Sequence, residues 1–218
     1  RLRAGRHAIG GTLCRRKKNI MRLLQGTLYS IREIVSNRQT RGASWRDAWF
    51  TGRQTTSADP AAEAVAWICK AQDASGDGGV ARSFALAYHR FFRKRGWMPS
   101  YPETTGYIIP TMFDYARQTK RDDLFQRAVR MTDWECDVQM DNGAVKGGTV
   151  DTPPVPAVFN TGQVLFGWIR AFEETRNQRY LDAAVRAGDF LISAQDADGA
   201  WRKSLGGFAS STMTSYTY

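Results

Sequence analysis

Apolar residues recur at helical spacing in two long stretches of the chain, and a short polar turn divides each stretch in two. The first stretch predicts helices over 106–118 and 122–140, and the second predicts helices over 162–175 and 178–194. A glycine-containing turn follows the second helix of each pair. This pattern is typical of consecutive helical hairpins.

The two hairpins are copies of one unit. When 105–146 is laid over 161–202 without a gap, at an offset of 56, ten of the 42 positions are identical. An earlier copy of the second helix lies at 64–72, because Trp67, Gln72 and Gly76 match the spacing of Trp134, Gln139 and Gly143. A long ungapped match of this kind indicates a repeat protein. We therefore expect an all-α fold with a repeat domain over 58–218.

Residues 1–57 form a separate, basic N-terminal segment. Positions 1–55 hold 13 Lys and Arg against 2 Asp and Glu, whereas the rest of the chain holds 18 against 19. Ile20, Leu24, Leu28 and Ile31 predict an amphipathic helix, and 36–57 is interpreted as a polar loop. Residues 14–37 could contact a membrane surface or an acidic polymer, or the helix could pack on the repeat domain. Because the repeat domain is not basic, we expect no nucleic-acid partner.

The end of the last copy, Arg186 to Trp201, resembles the QW repeat of squalene/hopene cyclases and prenyltransferases. It has an arginine, Gly188, the aromatic Phe190, Gln195 and then Gly199-Ala-Trp201. The resemblance implies an α/α barrel or toroid of hairpins. Since such a ring takes about six hairpins to bury its apolar faces, we expect this chain to be roughly the N-terminal half, truncated at its C-terminal end. The acidic Asp-x-Asp-Asp motif of the cyclases is absent from the sequence.

The segments around 96–106 and 153–163 resemble α/α-barrel sugar enzymes: glucuronyl C5-epimerases, N-acylglucosamine 2-epimerases and six-hairpin glycosidases. They also resemble proteins of bacterial exopolysaccharide clusters. The resemblance spans about 60–218. It implies an epimerase, lyase or hydrolase acting on a polysaccharide or oligosaccharide, in the bacterial cytoplasm or associated with its membrane. A terpenoid-cyclase-like or prenyltransferase-like toroid and a non-catalytic binding scaffold are the alternatives.

Unusual residues are concentrated in the loops that lead into the inner helices, where ligands bind in an α/α barrel. Aromatic rings beside carboxylates and amides suit sugar rings, since the ring faces meet C–H groups and the polar groups take hydroxyls. The predicted substrate-binding residues are Asp77, Arg82, Trp97, Tyr101, Asn160, Gln163, Trp201, Tyr216 and Tyr218.

Glu103, Tyr107 and Asp151 are the predicted catalytic residues. Glu103 precedes the Thr104-Thr105-Gly106 helix start, where a carboxylate could transfer protons or only favour the helix N-terminus. Tyr107, together with Tyr216 or Tyr218, could act as an acid or base at a sugar C5, or could lie in the core. Arg82 could neutralise a uronate carboxylate or be a surface charge. Asp77 and Asp151 could instead only stabilise turns.

No other chemistry is indicated. Cys14, Cys69 and Cys136 include no CxxC pair and are interpreted as small apolar residues in a reducing compartment. No His, Cys and Asp spacing predicts a metal, and no glycine-rich loop predicts a nucleotide. We expect no metal and no cofactor.

Overall fold

The computed structural model describes residues 59–204 and the separate positions 31, 32, 35, 37, 38, 41–43 and 45. The chain divides into two compact units, 1–56 with 85–96 and 57–84 with 97–218. In the first unit 31, 32, 35, 38, 41–43 and 45 are helical. The loop prediction for 36–57 is therefore wrong at 38, 41–43 and 45, because the Arg41 amide donates to the Asn37 carbonyl and closes a helical turn.

The second unit is built from helices joined by turns. The helices are α1 (Pro60–Ser75), α2 (Pro102–Thr119), α3 (Asp122–Val138), α4 (Val158–Thr175) and α5 (Gln178–Ala194). Strands β1 (Phe84–His89) and β2 (Lys94–Trp97) pair with each other, and all but Phe84 and Trp97 of them belong to the first unit. The all-α prediction is confirmed for the helices but missed these strands, although Phe84, Leu86 and Tyr88 alternate with alanines.

The two helical hairpins have the same bounds, shifted by 56 residues: α2 and α3 become α4 and α5. Helices α2 and α4 both end at a residue in the left-handed conformation, Lys120 and Arg176. The hydroxyls of Thr105 and Thr161 each accept a bond of 2.9 Å from a loop amide, Val80 or Val145. Helices α2 and α4 begin four residues earlier than predicted; in α2 this is because Pro102 suits a first helical position.

The core lies between α2, α3 and α4. Ile109, Met112 and Phe113 of α2 are fully buried, and Leu124 and Met131 of α3 pack in the same cluster. Helices α2 and α4 approach through glycine. A Cβ on Gly106 would lie 2.6 Å from the Val164 Cα, and one on Gly167 would lie 2.6 Å from the Gly106 carbonyl oxygen. Only glycine permits so close an approach of two backbones.

The repeated glutamines connect the second helix of one copy to the second helix of the next, α1 to α3 and α3 to α5. The Gln72 amide donates to the carbonyls of Gly78 and Arg127, at 3.0 and 3.1 Å. Gln139 donates in the same way to Gly143 and Ala183, at 3.0 and 2.9 Å. Since 127 and 183 are also 56 residues apart, the two links are equivalent. The Arg127 carbonyl lies within α3 and the Ala183 carbonyl within α5, so each glutamine binds the next helix along its length.

Gln139 and Gln195 differ in these links and form a matched pair. Among the described residues Gln195 donates only to Gly199, at 2.8 Å, in its own turn. Gln139 also reaches α5 and accepts a bond from the Arg186 guanidinium. We expect Gln139→Ala to lower the free energy of unfolding by about 1–3 kcal/mol and Gln195→Ala by less than about 1 kcal/mol. Urea unfolding measures both, and equal losses would contradict a role of Gln139 between helices.

Candidate functional site

The N-terminal ends of α2 and α4 carry most of the predicted site. Tyr101 immediately precedes α2, Glu103 lies in its first turn, and Asn160 lies in the first turn of α4. The loop after α3 reaches the same place, because the Val150 amide donates to the Ser100 carbonyl at 3.0 Å. Parallel copies of one repeat thus bring residues distant in sequence to one end of the helix pair.

A chain of hydrogen bonds joins Asn160, Tyr101 and Glu103. The Asn160 side-chain amide donates to the Tyr101 hydroxyl oxygen at 3.3 Å and to the Lys146 carbonyl at 3.2 Å. The Tyr101 hydroxyl in turn donates to the Glu103 carboxylate. Tyr101 and Asn160 are buried and Glu103 is half-buried, so this chain of hydrogen bonds runs from the interior to the surface. Such a chain fixes the orientation of the Glu103 carboxylate.

The two tyrosines of this end are protonated at neutral pH. Burial, with the bond to Glu103, raises the pKa of Tyr101 to about 12. Partial burial, with the nearby charge of Glu103, also raises the pKa of Tyr107. Tyr107 is 44% exposed and lies one helical turn beyond Glu103, on the same face of α2. A phenol that is protonated at neutral pH can donate a proton but cannot remove one. Tyr107 therefore suits an acid and Glu103 a base.

Arg82 contributes a positive charge beside Tyr101. Its guanidinium carbon lies 5.7 Å from the centroid of the Tyr101 ring, over the ring face, which is a cation–π contact. The Arg82 amide donates to the Pro99 carbonyl at 3.0 Å, so the strand-like segment 81–83 holds it next to the start of α2. Arg82 is exposed. A planar cation in this position can bind a carboxylate on a ligand.

Two of the predicted carboxylates have contacts that stabilise turns. Asp77 accepts from the Gly79 amide at 3.0 Å and from the Ser100 hydroxyl at 2.8 Å, and so ties the loop after α1 to the segment before α2. Asp151 is exposed and accepts from the Thr149 hydroxyl at 2.6 Å. Asp151 has no contact with the Asn160–Tyr101–Glu103 chain among these bonds.

Trp97 and Trp201 have contacts other than with Asn160, Tyr101 or Glu103. Trp97 contacts Trp67 and Phe84, with ring centroids 4.8 and 5.1 Å away. Trp201 donates its indole N–H to the Leu191 carbonyl at 2.8 Å and packs on the cluster around Phe190. Gln163 is half-buried in the first turns of α4. Tyr216 and Tyr218 lie outside the described residues.

Lys146 is a buried cation that the sequence analysis missed. Its ammonium group donates to the Val150 carbonyl at 3.0 Å and to the Thr152 carbonyl. The residue as a whole is only 7% exposed. Burial lowers its pKa, and the charge of Asp151 partly offsets this. The sequence did carry a signal, because Arg202 stands at the same position of the next copy. Lys146 thus orders the loop that supports Asn160.

Two of the three cysteines lie in the part of the chain that the structure describes. Cys69 and Cys136 are free thiols there, and burial raises the pKa of both, that of Cys136 to about 11. Within the same residues no group of three or more His, Cys, Asp and Glu side chains is placed to hold a metal ion. None of the helices described is both long and apolar enough to cross a membrane.

Comparison with known proteins adds no relative. No protein-family model, no curated protein and no solved structure matches this chain. The function of this chain is therefore inferred from its own residues and their contacts.

Proposed function

We propose that this protein is a carbohydrate-active protein of the α/α-barrel kind, whose sugar site lies at the N-terminal ends of α2 and α4. The observation that carries the proposal is the hydrogen-bond chain from Asn160 through Tyr101 to Glu103. It orients an accessible carboxylate between an exposed phenol, Tyr107, and an exposed guanidinium, Arg82. A saccharide would be the partner, and the bacterial cytoplasm the place of action.

The three groups fit proton transfer at a uronic acid. The C5–H of a uronate is acidified by its carboxylate, which Arg82 would bind and neutralise. Glu103 would take the C5 proton, and the electron pair would pass into the carboxylate as an enediolate. Tyr107 would then return a proton to the opposite face of C5, which gives the epimer. Alternatively, Tyr107 would protonate the C4 oxygen as the C4–O bond breaks, which gives the unsaturated product of a lyase.

Deuterium exchange in D₂O tests this function directly. The full chain is incubated with uronate-containing oligosaccharides and with neutral ones, and loss of the C5 proton signal is followed by NMR. We expect exchange only with uronates, and Glu103→Gln to slow it by about 10²–10⁴-fold, the usual contribution of a positioned acid or base. Glu173→Gln changes an exposed carboxylate near the other end of α4 and should leave the rate unchanged.

Two outcomes would count against the proposal. If Glu103→Gln exchanges C5 protons as fast as the unaltered chain, Glu103 is not the base. If no saccharide exchanges but uronates bind, and Arg82→Gln weakens that binding, the site is a non-catalytic binding scaffold.

A further inference from the structure

A cavity lies at the opposite end of α2 from Tyr101. Its volume is about 320 Å³, and it opens between α1, the end of α2 and the start of α3. Tyr115, which lines it, follows Tyr101 by 14 residues, so the cavity lies about 20 Å along the helix from the proposed sugar site. Ala62, Ala66 and Leu124 form its apolar walls.

The equivalent groove of the next repeat is filled by side chains. Between α3 and α5, the Tyr180 hydroxyl donates to the Asp133 carboxylate at 2.9 Å, and Tyr180 is 1% exposed. Arg179 crosses the same groove to Asp137 at 2.5 Å. The position of Tyr180 corresponds to Leu124, 56 residues earlier, and that of Asp133 corresponds to Ala66, through the alignment of Gln139 with Gln72.

The groove between α1 and α3 carries shorter side chains at both of these positions. Leu124 has no phenol ring and Ala66 has no carboxylate, and both residues line the cavity. The Arg127 guanidinium, bound to Asp73 at 2.7 Å, joins α1 to α3 beside the cavity without filling it. The free space is thus suited to an aromatic ring in size.

The rim of the cavity carries one unbalanced positive charge. Arg121 binds both oxygens of Asp123, at 2.9 and 2.5 Å, and Arg127 binds both oxygens of Asp73, at 2.7 and 3.0 Å. These two pairs cancel. Lys70 is the remaining charged residue of the lining, and no carboxylate of 59–204 forms an ion pair with it. A ligand in the cavity would be held best if it carried one negative charge near Lys70.

We propose that this cavity binds a small aromatic anion, with its ring between Ala66 and Leu124 in the place that Tyr180 takes one repeat later. The carboxylate of the ligand pairs with Lys70 at the rim. The site is independent of the proposed sugar site and needs none of its residues.

The probe for this site is 4-hydroxybenzoate, which combines a phenol ring with one carboxylate. It is titrated into the ¹⁵N-labelled full chain, and amide shifts are followed by NMR. We expect saturable shifts at Ala62, Ala66, Cys69 and Leu124, with a Kd of about 1 mM or below, as for a fragment of this size. Lys70→Gln should weaken the binding of 4-hydroxybenzoate about tenfold. It should leave the binding of phenol, which is uncharged, unchanged.

A filled variant provides the decisive comparison. Leu124→Tyr combined with Ala66→Asp rebuilds the side chains of the second groove and should abolish the shifts, and Ala66→Leu blocks the cavity if the double variant does not fold. Glu103→Gln should retain full binding, which separates this result from the fate of the sugar site. The proposal is overturned if 4-hydroxybenzoate causes no shift at these amides up to about 10 mM, or binds the blocked variants equally well.

Discussion

Replacing Glu135 with leucine is expected to stabilise the protein and to remove most of its pH dependence of unfolding near neutrality. Glu135 lies in α3 and is fully buried, and neither carboxylate oxygen has a hydrogen-bond partner in the described part of the chain. Burial raises its pKa well above the usual value. Its counterparts in the other copies are Ile68 and Leu191, so an apolar side chain is compatible with this position. We expect Glu135→Leu to gain about 1–4 kcal/mol at pH 7.

The sign of the pH effect follows from the direction of the pKa change. A group with a raised pKa in the folded state binds its proton more tightly there than in the unfolded chain. Its stabilising contribution is therefore complete below the unfolded pKa and is lost as the pH rises through the folded pKa. In that interval this group lowers the free energy of unfolding by about 1.4 kcal/mol per pH unit.

Urea unfolding from pH 4 to pH 8 measures both effects. The unaltered chain should lose stability across that range relative to Glu135→Leu and to Glu135→Gln, which does not titrate either. Parallel curves for all three proteins would show that Glu135 does not take up a proton on folding.

The second large effect is expected at Gly143, in the turn after α3. Gly143 has a φ of +83°, and a Cβ there would lie 2.2 Å from the Arg186 carbonyl oxygen of α5. Alanine would thus be strained in its backbone and would also force α5 away from the turn. We expect Gly143→Ala to cost about 3 kcal/mol or more, the sum of a left-handed alanine and a displaced helix.

Gly199 is the natural control, because it occupies the same position of the next copy. Its φ is +87°, but a Cβ there would meet only the Gln195 amide nitrogen, at 3.9 Å. Gly199→Ala should therefore cost only the backbone strain, about 1 kcal/mol. Thermal or urea unfolding of the two variants separates strain from contact, and equal losses would refute the contact with α5.

Much of the fold follows from the sequence because one pattern occurs twice without a gap. The turns at 119–121 and 175–177 and the bounds of α3 and α5 follow from apolar spacing and from the identical positions. The strand pair does not follow from the sequence, because Phe84, Leu86 and Tyr88 have no counterpart in another copy that would support a strand prediction. The repeat positions of Gln72 and Gln139 follow from the sequence, but which carbonyls accept their bonds depends on how the helices are staggered.

The candidate site was only partly predictable, because the repeat shows which helix starts are equivalent but not the directions of their side chains. Tyr101, Glu103 and Asn160 come together because equivalent helix starts lie side by side, which the repeat implies. The sequence does not predict that Trp97 packs on Trp67, or that the Trp201 indole bonds to the Leu191 carbonyl, because both contacts depend on side-chain direction. Glu135 was missed because a glutamate on a charged helix is ordinarily exposed, and only its two apolar counterparts mark it as unusual.

The glycine contact between α2 and α4 has a consequence for ligand affinity. Gly106 lies just over one turn from Tyr101, and Val164 one turn from Asn160, so the backbone contact fixes the separation of the two helix ends beneath the site. Tyr101 and Asn160 therefore keep their geometry whether or not a ligand is present. Less conformational entropy would be lost when a ligand binds there, and more of its interaction energy would appear as affinity.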